Sequence, residues 1–270
     1  MTPPTPPEIV ETLIAVGVKK SKLPRQQMLW RGIYSGLLLG IATTLAITVT
    51  VESGMPFLGA FAFPVGFVII MLLGTELVTG NFAVLPMAFF KGEIKQEAVL
   101  NNWKWVILGN LLGCLIYATL FSMYITKLGH VESSAVISKV IAVAEGKTLA
   151  YQKLGFGGLI VLFIKATICN WMVSMGVVMA FVTRSIGGKI LAIWMPIFTF
   201  FALGLEHCVV NMFVIPAGMM LGADVSPFQW LFWNQIPAIL GNVIGAMYLT
   251  GWFLQKMHGV AKQPVAAPAN

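Results

Sequence analysis

Charged side chains are scarce in this chain. Only 10% of its 270 residues are Asp, Glu, Lys or Arg, whereas a soluble domain carries about 25%. Together with the 58% hydrophobic share, this excludes an ordinary soluble globular protein. The apolar residues form long continuous runs rather than alternating segments of about ten residues, which excludes a membrane β-barrel. The composition therefore predicts an all-α integral membrane protein whose partner is the lipid bilayer.

Cysteine and histidine are also rare, with three of each. Cys114, Cys169 and Cys208 lie in separate apolar runs at wide spacing, which is typical of small buried side chains and predicts neither a disulfide nor a metal site. His130 and His258 fall in predicted loops, and the sequence carries no cofactor motif. We therefore expect no enzyme activity, no cofactor and no bound metal.

Six apolar stretches each exceed the about 20 residues that a helix needs to cross a bilayer. They are residues 30–51, 59–90, 103–126, 157–181, 190–221 and 231–254. Twelve of the 17 Lys and Arg residues fall on one side of the resulting topology, the side of both termini. The positive-inside rule places that side in the cytoplasm, as in a plasma-membrane protein. The same distribution accounts for the net charge of +7 without a nucleic-acid partner.

A short pattern, Gly-x-Glu-x-x-x-x-Asn, occurs at residues 74–81 and again at 204–211, and Leu-Gly-Asn-x-x-Gly occurs at 108–113 and 240–245. Each copy belongs to a group of three spans, and because three is odd, the second group enters the membrane from the opposite side. The sequence therefore predicts two inverted three-helix repeats. The expected organisation is a cytoplasmic segment 1–29 with a short helix at 8–20, a first repeat 30–126, an extracytoplasmic loop 127–156, a second repeat 157–254 and a cytoplasmic tail 255–270.

The second and fifth spans are longer than a bilayer crossing requires. Each has 32 residues, which as a straight helix would measure about 48 Å against a hydrocarbon core of about 30 Å. The expected breaking residues are Gly74 and Thr79-Gly80-Asn81 in the second span, and Gly204, Asn211, Pro216 and Gly218 in the fifth. Unwound backbone is tolerated in a membrane only against protein or a water-filled cavity. The two interrupted helices therefore predict a solute pathway near the midplane.

Glu76 and Glu206 occupy the same place in the two breaks, and Asn81 and Asn211 follow them at the same distance. An unpaired carboxylate in lipid costs at least about 2.5–3.5 kcal/mol, so both carboxylates must have partners. Their symmetric use favours an architectural role in supporting the broken helices, with the carboxylates accepting hydrogen bonds from free backbone N–H groups. A role in solute passage is the alternative.

His207 has no counterpart in the first repeat, because Leu77 stands at the equivalent position. A titratable group at one break only favours a pore role, since imidazole can donate a hydrogen bond to an anion and exchange a proton near neutral pH. A structural histidine bonded to a backbone carbonyl is the alternative. Thr79 and Asn170 are the other candidate pore groups, and for Thr79 a simple turn residue is an equal alternative.

Large apolar side chains surround both breaks. Phe63, Phe67 and Leu77 flank the first, and Phe200 precedes His207 by seven residues. Apolar constrictions on either side of one polar group would stop hydrated ions while passing a small solute. Ordinary packing or lipid contact is the alternative for each of these residues.

Several ordered motifs resemble the formate/nitrite transporter family over residues 10–255. They are Phe63-Pro64-Val65-Gly66, the 74–81 pattern, Leu108-Gly109-Asn110, Cys169-Asn170-Trp171-Met172-Val173, and Gly204-Leu205-Glu206-His207 with Asn211-Met212-Phe213. The resemblance implies an aquaporin-like fold with interrupted second and fifth helices, assembled as a homopentamer with one pore per protomer. It also implies passage of small monovalent weak-acid anions, above all nitrite and formate, with bicarbonate as an alternative.

The resemblance further implies roles for individual residues. The family's central histidine falls on His207, its loop threonine on Thr79 and the asparagine facing the histidine on Asn170. Its constrictions fall on the four apolar residues named above. Its basic vestibule residue falls on Lys153, with Lys147 as the alternative. Such a lysine would concentrate anions, and His207 would lower the cost of removing their water, with or without proton transfer.

A neutral-solute pore of the water or glycerol type is the alternative from another class, because its fold would be similar. Aquaporins carry two Asn-Pro-Ala boxes at their breaks, whereas this chain has Asn81-Phe82-Ala83 and Asn211-Met212-Phe213 there. A channel for small anions is therefore the favoured prediction.

Overall fold

The chain folds into consecutive helices in a computed structural model that describes residues 2–259, and within that range there is no β-strand. The first half contains α1 (Pro6–Ser21), α2 (Arg25–Ser53), α3 (Pro56–Leu73), α4 (Val78–Phe90) and α5 (Gln96–Ile125). The second half contains α6 (Ala135–Gly146), α7 (Leu149–Lys153), α8 (Phe156–Met179), α9 (Ile186–Ala202), α10 (Cys208–Met220) and α11 (Pro227–His258).

Five of the described helices are long and apolar enough to cross a membrane: α2, α3, α5, α8 and α11. The fifth predicted stretch, 190–221, is instead divided between α9 and α10, which have 17 and 13 residues and fall below that length. The second stretch, 59–90, is likewise divided between α3 and α4. The predicted tail begins inside α11, and its residues 260–270 lie outside the described part of the chain.

Each divided stretch is interrupted at a glycine in the left-handed region, Gly74 at φ 63° and Gly204 at φ 60°. In both places the next N–H donates back across the glycine at 3.2 Å, Thr75 to Ile70 and Leu205 to Phe200. This six-residue closure satisfies carbonyls at the end of a helix and requires a residue that tolerates positive φ. The two half-helices α3 and α9 therefore end in the same way.

The remaining predicted breaking residues are not in the breaks. Thr79-Gly80-Asn81 forms the first turn of α4, and Asn211, Pro216 and Gly218 lie within α10. The prediction was wrong here because Gly and Asn are common in turns but are also found in helices where a tertiary contact uses them. In this structure the Asn81 and Asn211 side chains are bound by neighbouring helices.

Two amphipathic helices, α1 and α6, lie outside the predicted repeats and occupy matching places. α1 packs its apolar face against α4, and α6 packs against α10. The prediction for 127–156 as a loop missed α6 and α7, and the short helix predicted at 8–20 extends over Pro6–Ser21. Each half therefore places a surface helix against the second part of its own divided stretch.

Glycines bring the long helices into backbone contact. A Cβ at Gly113 would lie 2.0 Å from the carbonyl oxygen of Ile33, and a Cβ at Gly245 would lie 2.0 Å from that of Thr167. Close backbone approach of this kind is how helices associate where no hydrophobic driving force exists between them and lipid. Both halves use it, at α2 with α5 and at α8 with α11.

We predict that Gly113→Leu lowers the melting temperature of the detergent-solubilised protein by about 2–12 °C, because overpacking costs about 1–3 kcal/mol and the obstructing atom is backbone. A thiol-reactive dye can follow unfolding, since all three cysteines are buried. Gly157→Ala is the control, because Gly157 is exposed within α8 and has no atom near its Cβ position. Equal melting temperatures for both variants would contradict the packing argument.

Candidate functional site

Glu206, in the second break, is buried and accepts hydrogen bonds from four surrounding side chains, of which Asn234 Nδ2 is the most distant at 3.3 Å from Oε2. Lys147 Nζ donates to Oε2 at 2.9 Å, Asn211 Nδ2 donates to the same oxygen at 2.9 Å, and the Tyr151 hydroxyl donates to Oε1 at 2.8 Å. Asn234 completes the group, accepting from Asn211 at 2.8 Å and donating to the Lys147 carbonyl at 2.8 Å. A buried charge is tolerated when it is paired and hydrogen-bonded, and Glu206 meets both conditions.

Glu76 has a matching set of partners in the first half. Lys20 Nζ donates to its Oε1 at 2.7 Å, and Asn81 Nδ2 donates to its Oε2 at 2.7 Å. Asn102 accepts from Asn81 at 2.9 Å and donates to the Lys20 carbonyl at 3.1 Å. We call these two groups the Glu76 network and the Glu206 network. Each joins a surface helix, a break and the helix that follows.

Tyr151 is the principal difference between the two networks, because no hydroxyl of the described residues donates to Glu76. Burial, and then the charge of Glu206, raise the pKa of the Tyr151 phenol. The hydroxyl therefore stays protonated and donates to the carboxylate over the physiological pH range.

The backbone at each break is capped by an asparagine that the sequence analysis did not assign. Asn110 Oδ1 accepts from the N–H of Val78 at 3.0 Å, and Asn242 Oδ1 accepts from that of Cys208 at 2.8 Å. Their amides donate to the carbonyls of Glu76 and Glu206, both at 2.9 Å. Since backbone left unpaired in a membrane costs several kcal/mol, these bonds permit the breaks.

The expectation that the Glu76 and Glu206 carboxylates accept backbone N–H groups was wrong, because in the described structure side chains occupy both of them. The signal for the capping asparagines was the repeated Leu-Gly-Asn-x-x-Gly pattern, in which the glycines pack α5 against α2 and α11 against α8.

His207 connects the second break to the first turn of α4. Its Nε2 lies 3.1 Å from Thr79 Oγ1, and its Nδ1 accepts from the N–H of Val210 at 3.2 Å. Because Nδ1 is an acceptor, this hydrogen-bond network assigns the ring hydrogen to Nε2, which donates to the Thr79 hydroxyl. The hydroxyl's own hydrogen is then free for another acceptor. The alternative was a structural histidine bonded to a backbone carbonyl. His207 does bond to the backbone, but its partner is the N–H of Val210.

Asn170, the third predicted pore group, lies behind this contact and is fully buried. Its Nδ2 donates to the carbonyl of Thr79 at 3.1 Å and to that of Asn242 at 2.8 Å. Its Oδ1 has no partner among the described residues. Asn170 therefore links α8 to α4 and α11 and fixes the backbone of Thr79.

Two cavities lead towards the His207–Thr79 contact and share no lining residue. We name them after their lysines. The Lys20 cavity, of about 200 Å³, reaches Phe67, Leu77 and Gly80, the residue after Thr79. The Lys147 cavity, of about 430 Å³, reaches Phe200 and His207. The polar contact thus lies between two pockets whose linings are largely apolar.

The predicted constriction residues do not all line these cavities. Phe67 and Leu77 line the Lys20 cavity and Phe200 lines the Lys147 cavity, where its ring stacks on His207 at 5.5 Å between centroids. Phe63 lines neither cavity and packs edge-on against Phe200 at 5.5 Å. It supports the Phe200 ring from behind.

Lys153, the predicted vestibule charge, is exposed at the end of α7 and lines neither cavity. Lys147, the alternative, lines the larger cavity. The difference arises because Lys147, at the end of α6, reaches the break, whereas Lys153 lies on the exposed side of α7, whose Tyr151 faces Glu206 instead.

Comparison with known proteins identifies relatives of the whole chain. A family model described as formate/nitrite transporter matches residues 7–255. The uncharacterized transporter YrhG of Bacillus subtilis is 38% identical over 254 residues, covering 91% of this chain and 90% of its own length. The formate channel BtFdhC of Bacillus thuringiensis is 34% identical over 269 residues, covering 95% and 98%.

A solved structure shares the fold. A pentameric formate channel with formate bound superposes with a TM-score of 0.71 over 86% of this chain and 97% of that chain, at 24% sequence identity. With the apolar helices described above, these matches establish an integral, multi-pass membrane protein.

We predict that Lys147→Met lowers the free energy of unfolding by about 3–5 kcal/mol, because it leaves Glu206 buried without a counter-charge. Lys147→Met combined with Glu206→Gln should recover at least half of that loss, since no unpaired charge then remains. Denaturant unfolding in mixed micelles measures both. Lys153→Met, which changes an exposed lysine of the same region, should leave stability unchanged, and additive losses in the double variant would refute the pairing.

Proposed function

The chain belongs to the formate/nitrite transporter family, and from this premise we propose that it is a channel for small monovalent weak-acid anions, with formate as the first substrate to test. The observation that carries the proposal is the hydrogen bond between His207 and Thr79, which joins the second break to the first turn of α4 between two cavities with largely apolar linings. The formate channels among the relatives support formate, and the family description supports nitrite as the second substrate. Bicarbonate is a further anion of suitable size.

The passage of an anion through this region requires that it lose water. Phe67, Leu77 and Phe200 offer it no hydrogen bond, and an unpaired charge in apolar surroundings is costly. The Thr79 hydroxyl can donate one hydrogen bond to the anion, and the His207 Nε2–H donated to Thr79 strengthens that bond by polarising the hydroxyl. A hydrated cation receives no such compensation, so the same region excludes it.

The assigned tautomer favours hydrogen bonding over proton donation by His207. A neutral ring has one hydrogen, on Nε2, and donating it would leave an imidazolate. Adding a proton at Nδ1 would break the bond from Val210 at the start of α10, where the helix dipole already opposes a positive charge. We therefore assign any proton that accompanies the anion to the solute itself rather than to the ring.

The proposal also includes the arrangement of the membrane crossings. We propose six membrane crossings arranged as two inverted repeats in the manner of aquaporins, with α3–α4 and α9–α10 as the interrupted second and fifth crossings. The matched Glu76 and Glu206 networks support this pairing. Both termini would then face the cytoplasm, with the chain in the plasma membrane. The solved pentameric channel supports a homopentamer.

The test uses two substitutions that differ in which hydrogen bonds of His207 they remove. His207→Asn keeps a good acceptor for the start of α10 but is too short to reach Thr79, whereas His207→Phe removes both bonds. We predict that both variants pentamerise, and that uptake of labelled formate into proteoliposomes falls about two- to tenfold, because each variant loses the neutral hydrogen bond, of about 0.5–1.5 kcal/mol, that polarises the Thr79 hydroxyl.

Wild-type protein with glycerol is the control, and rapid glycerol-driven swelling would favour the neutral-solute pore instead. If formate uptake and its pH dependence are the same in both His207 variants as in the wild type, the proposed role of the contact is wrong.

A further inference from the structure

The lysines nearest the two breaks are electrically compensated. Lys147 contacts Glu206 at 2.9 Å and Lys20 contacts Glu76 at 2.7 Å, and both carboxylates are 2% exposed. Seen from more than a few ångströms away, each pair presents a dipole rather than a positive charge. An anion approaching the Lys147 cavity from solution is therefore not drawn in by Lys147.

One other cation lines the Lys147 cavity. Lys139 lies on α6, eight residues before Lys147, which is two helical turns or about 12 Å further from the break. Its side chain is exposed, and within the described part of the chain it forms no ion pair or hydrogen bond. No Asp or Glu lines this cavity. The positive charge of Lys139 is thus uncompensated at the mouth.

The first half arranges its charges differently. Thr12 stands eight residues before Lys20, so the position equivalent to Lys139 is neutral there. The Lys20 cavity instead contains Lys19 and Arg31, and the Arg31 guanidinium donates to a neutral amide, Gln27 Oε1, at 3.2 Å. Besides the paired lysines, two cations therefore line the Lys20 cavity, whereas one cation lines the Lys147 cavity.

We propose that Lys139 is the anion-capture residue of the Lys147 cavity, and that Lys147 is a positioning residue which holds Glu206 and the break. This inference rests on the proposed function, since it concerns the same pathway. A single charge at the mouth raises the local concentration of anions without entering the narrow region. It therefore acts on the half-saturating concentration and not on the saturated rate, and salt screens it.

The experiment measures initial formate uptake against external concentration, with the full chain in vesicles of zwitterionic lipid and insertion direction matched by protease digestion. At low salt, Lys139→Gln should raise the half-saturating formate concentration about two- to fourfold, and Lys139→Glu should raise it further. Lys139→Arg should behave as the wild type. In about 0.5 M of a salt with a bulky impermeant anion, the differences should disappear.

Lys153→Gln is the matched control, because it removes an exposed lysine from the same region that does not line the cavity. It should leave uptake unchanged at both salt concentrations. A Lys139→Gln curve equal to the wild type at low salt, or an equal effect of Lys153→Gln, would overturn the assignment. If the wild type itself takes up no formate, the proposed function fails, and that result is distinct from a working channel insensitive to Lys139.

Discussion

Two ion pairs that each bury a carboxylate, Lys20 with Glu76 and Lys147 with Glu206, are the interactions on which the rest of the structure depends. A membrane offers no water to an unwound segment, so every exposed backbone group and charge at the breaks needs a protein partner. The carboxylates bind asparagines from the following helices, and the lysines attach the surface helices α1 and α6. Without these pairs, the two breaks would each contain a buried carboxylate with no counter-charge, and the surface helices would lose their ionic link to the breaks.

The two halves cap their breaks with matching hydrogen bonds, but they differ in the side chain that stands next to each break. Asn110 and Asn242 cap the two breaks with nearly identical bonds. Leu77 and His207 then occupy equivalent positions, so one half contributes an apolar wall and the other a hydrogen-bond donor. A symmetric scaffold thereby produces an asymmetric centre, which is what a pathway needs if it is to compensate an anion at one point and exclude ions elsewhere.

Much of this arrangement could be predicted from the sequence because it leaves a local signal. Excess length at 59–90 and 190–221 indicated divided helices, and the mismatch between Leu77 and His207 indicated where the halves differ. The pore roles of His207, Thr79 and Asn170 stay predictions. The partners of the carboxylates could not be predicted, because Lys20 and Lys147 precede them by 56 and 59 residues and lie in segments without apolar runs. Lys153 was preferred over Lys147 for the same reason, since chain position alone does not show which lysine α6 delivers to the cavity.

Infrared difference spectroscopy on the protein in lipid tests the central claim most directly, by comparing the wild type with Glu206→Gln and with Glu76→Gln at neutral pH. If each carboxylate is ionised and held by its lysine, each substitution removes the stretching bands of an ionised carboxylate. If either substitution instead removes the carbonyl band of a protonated carboxylic acid, that glutamate is neutral in the membrane. The ion pair would then be absent, and the account of how the breaks are supported would be contradicted.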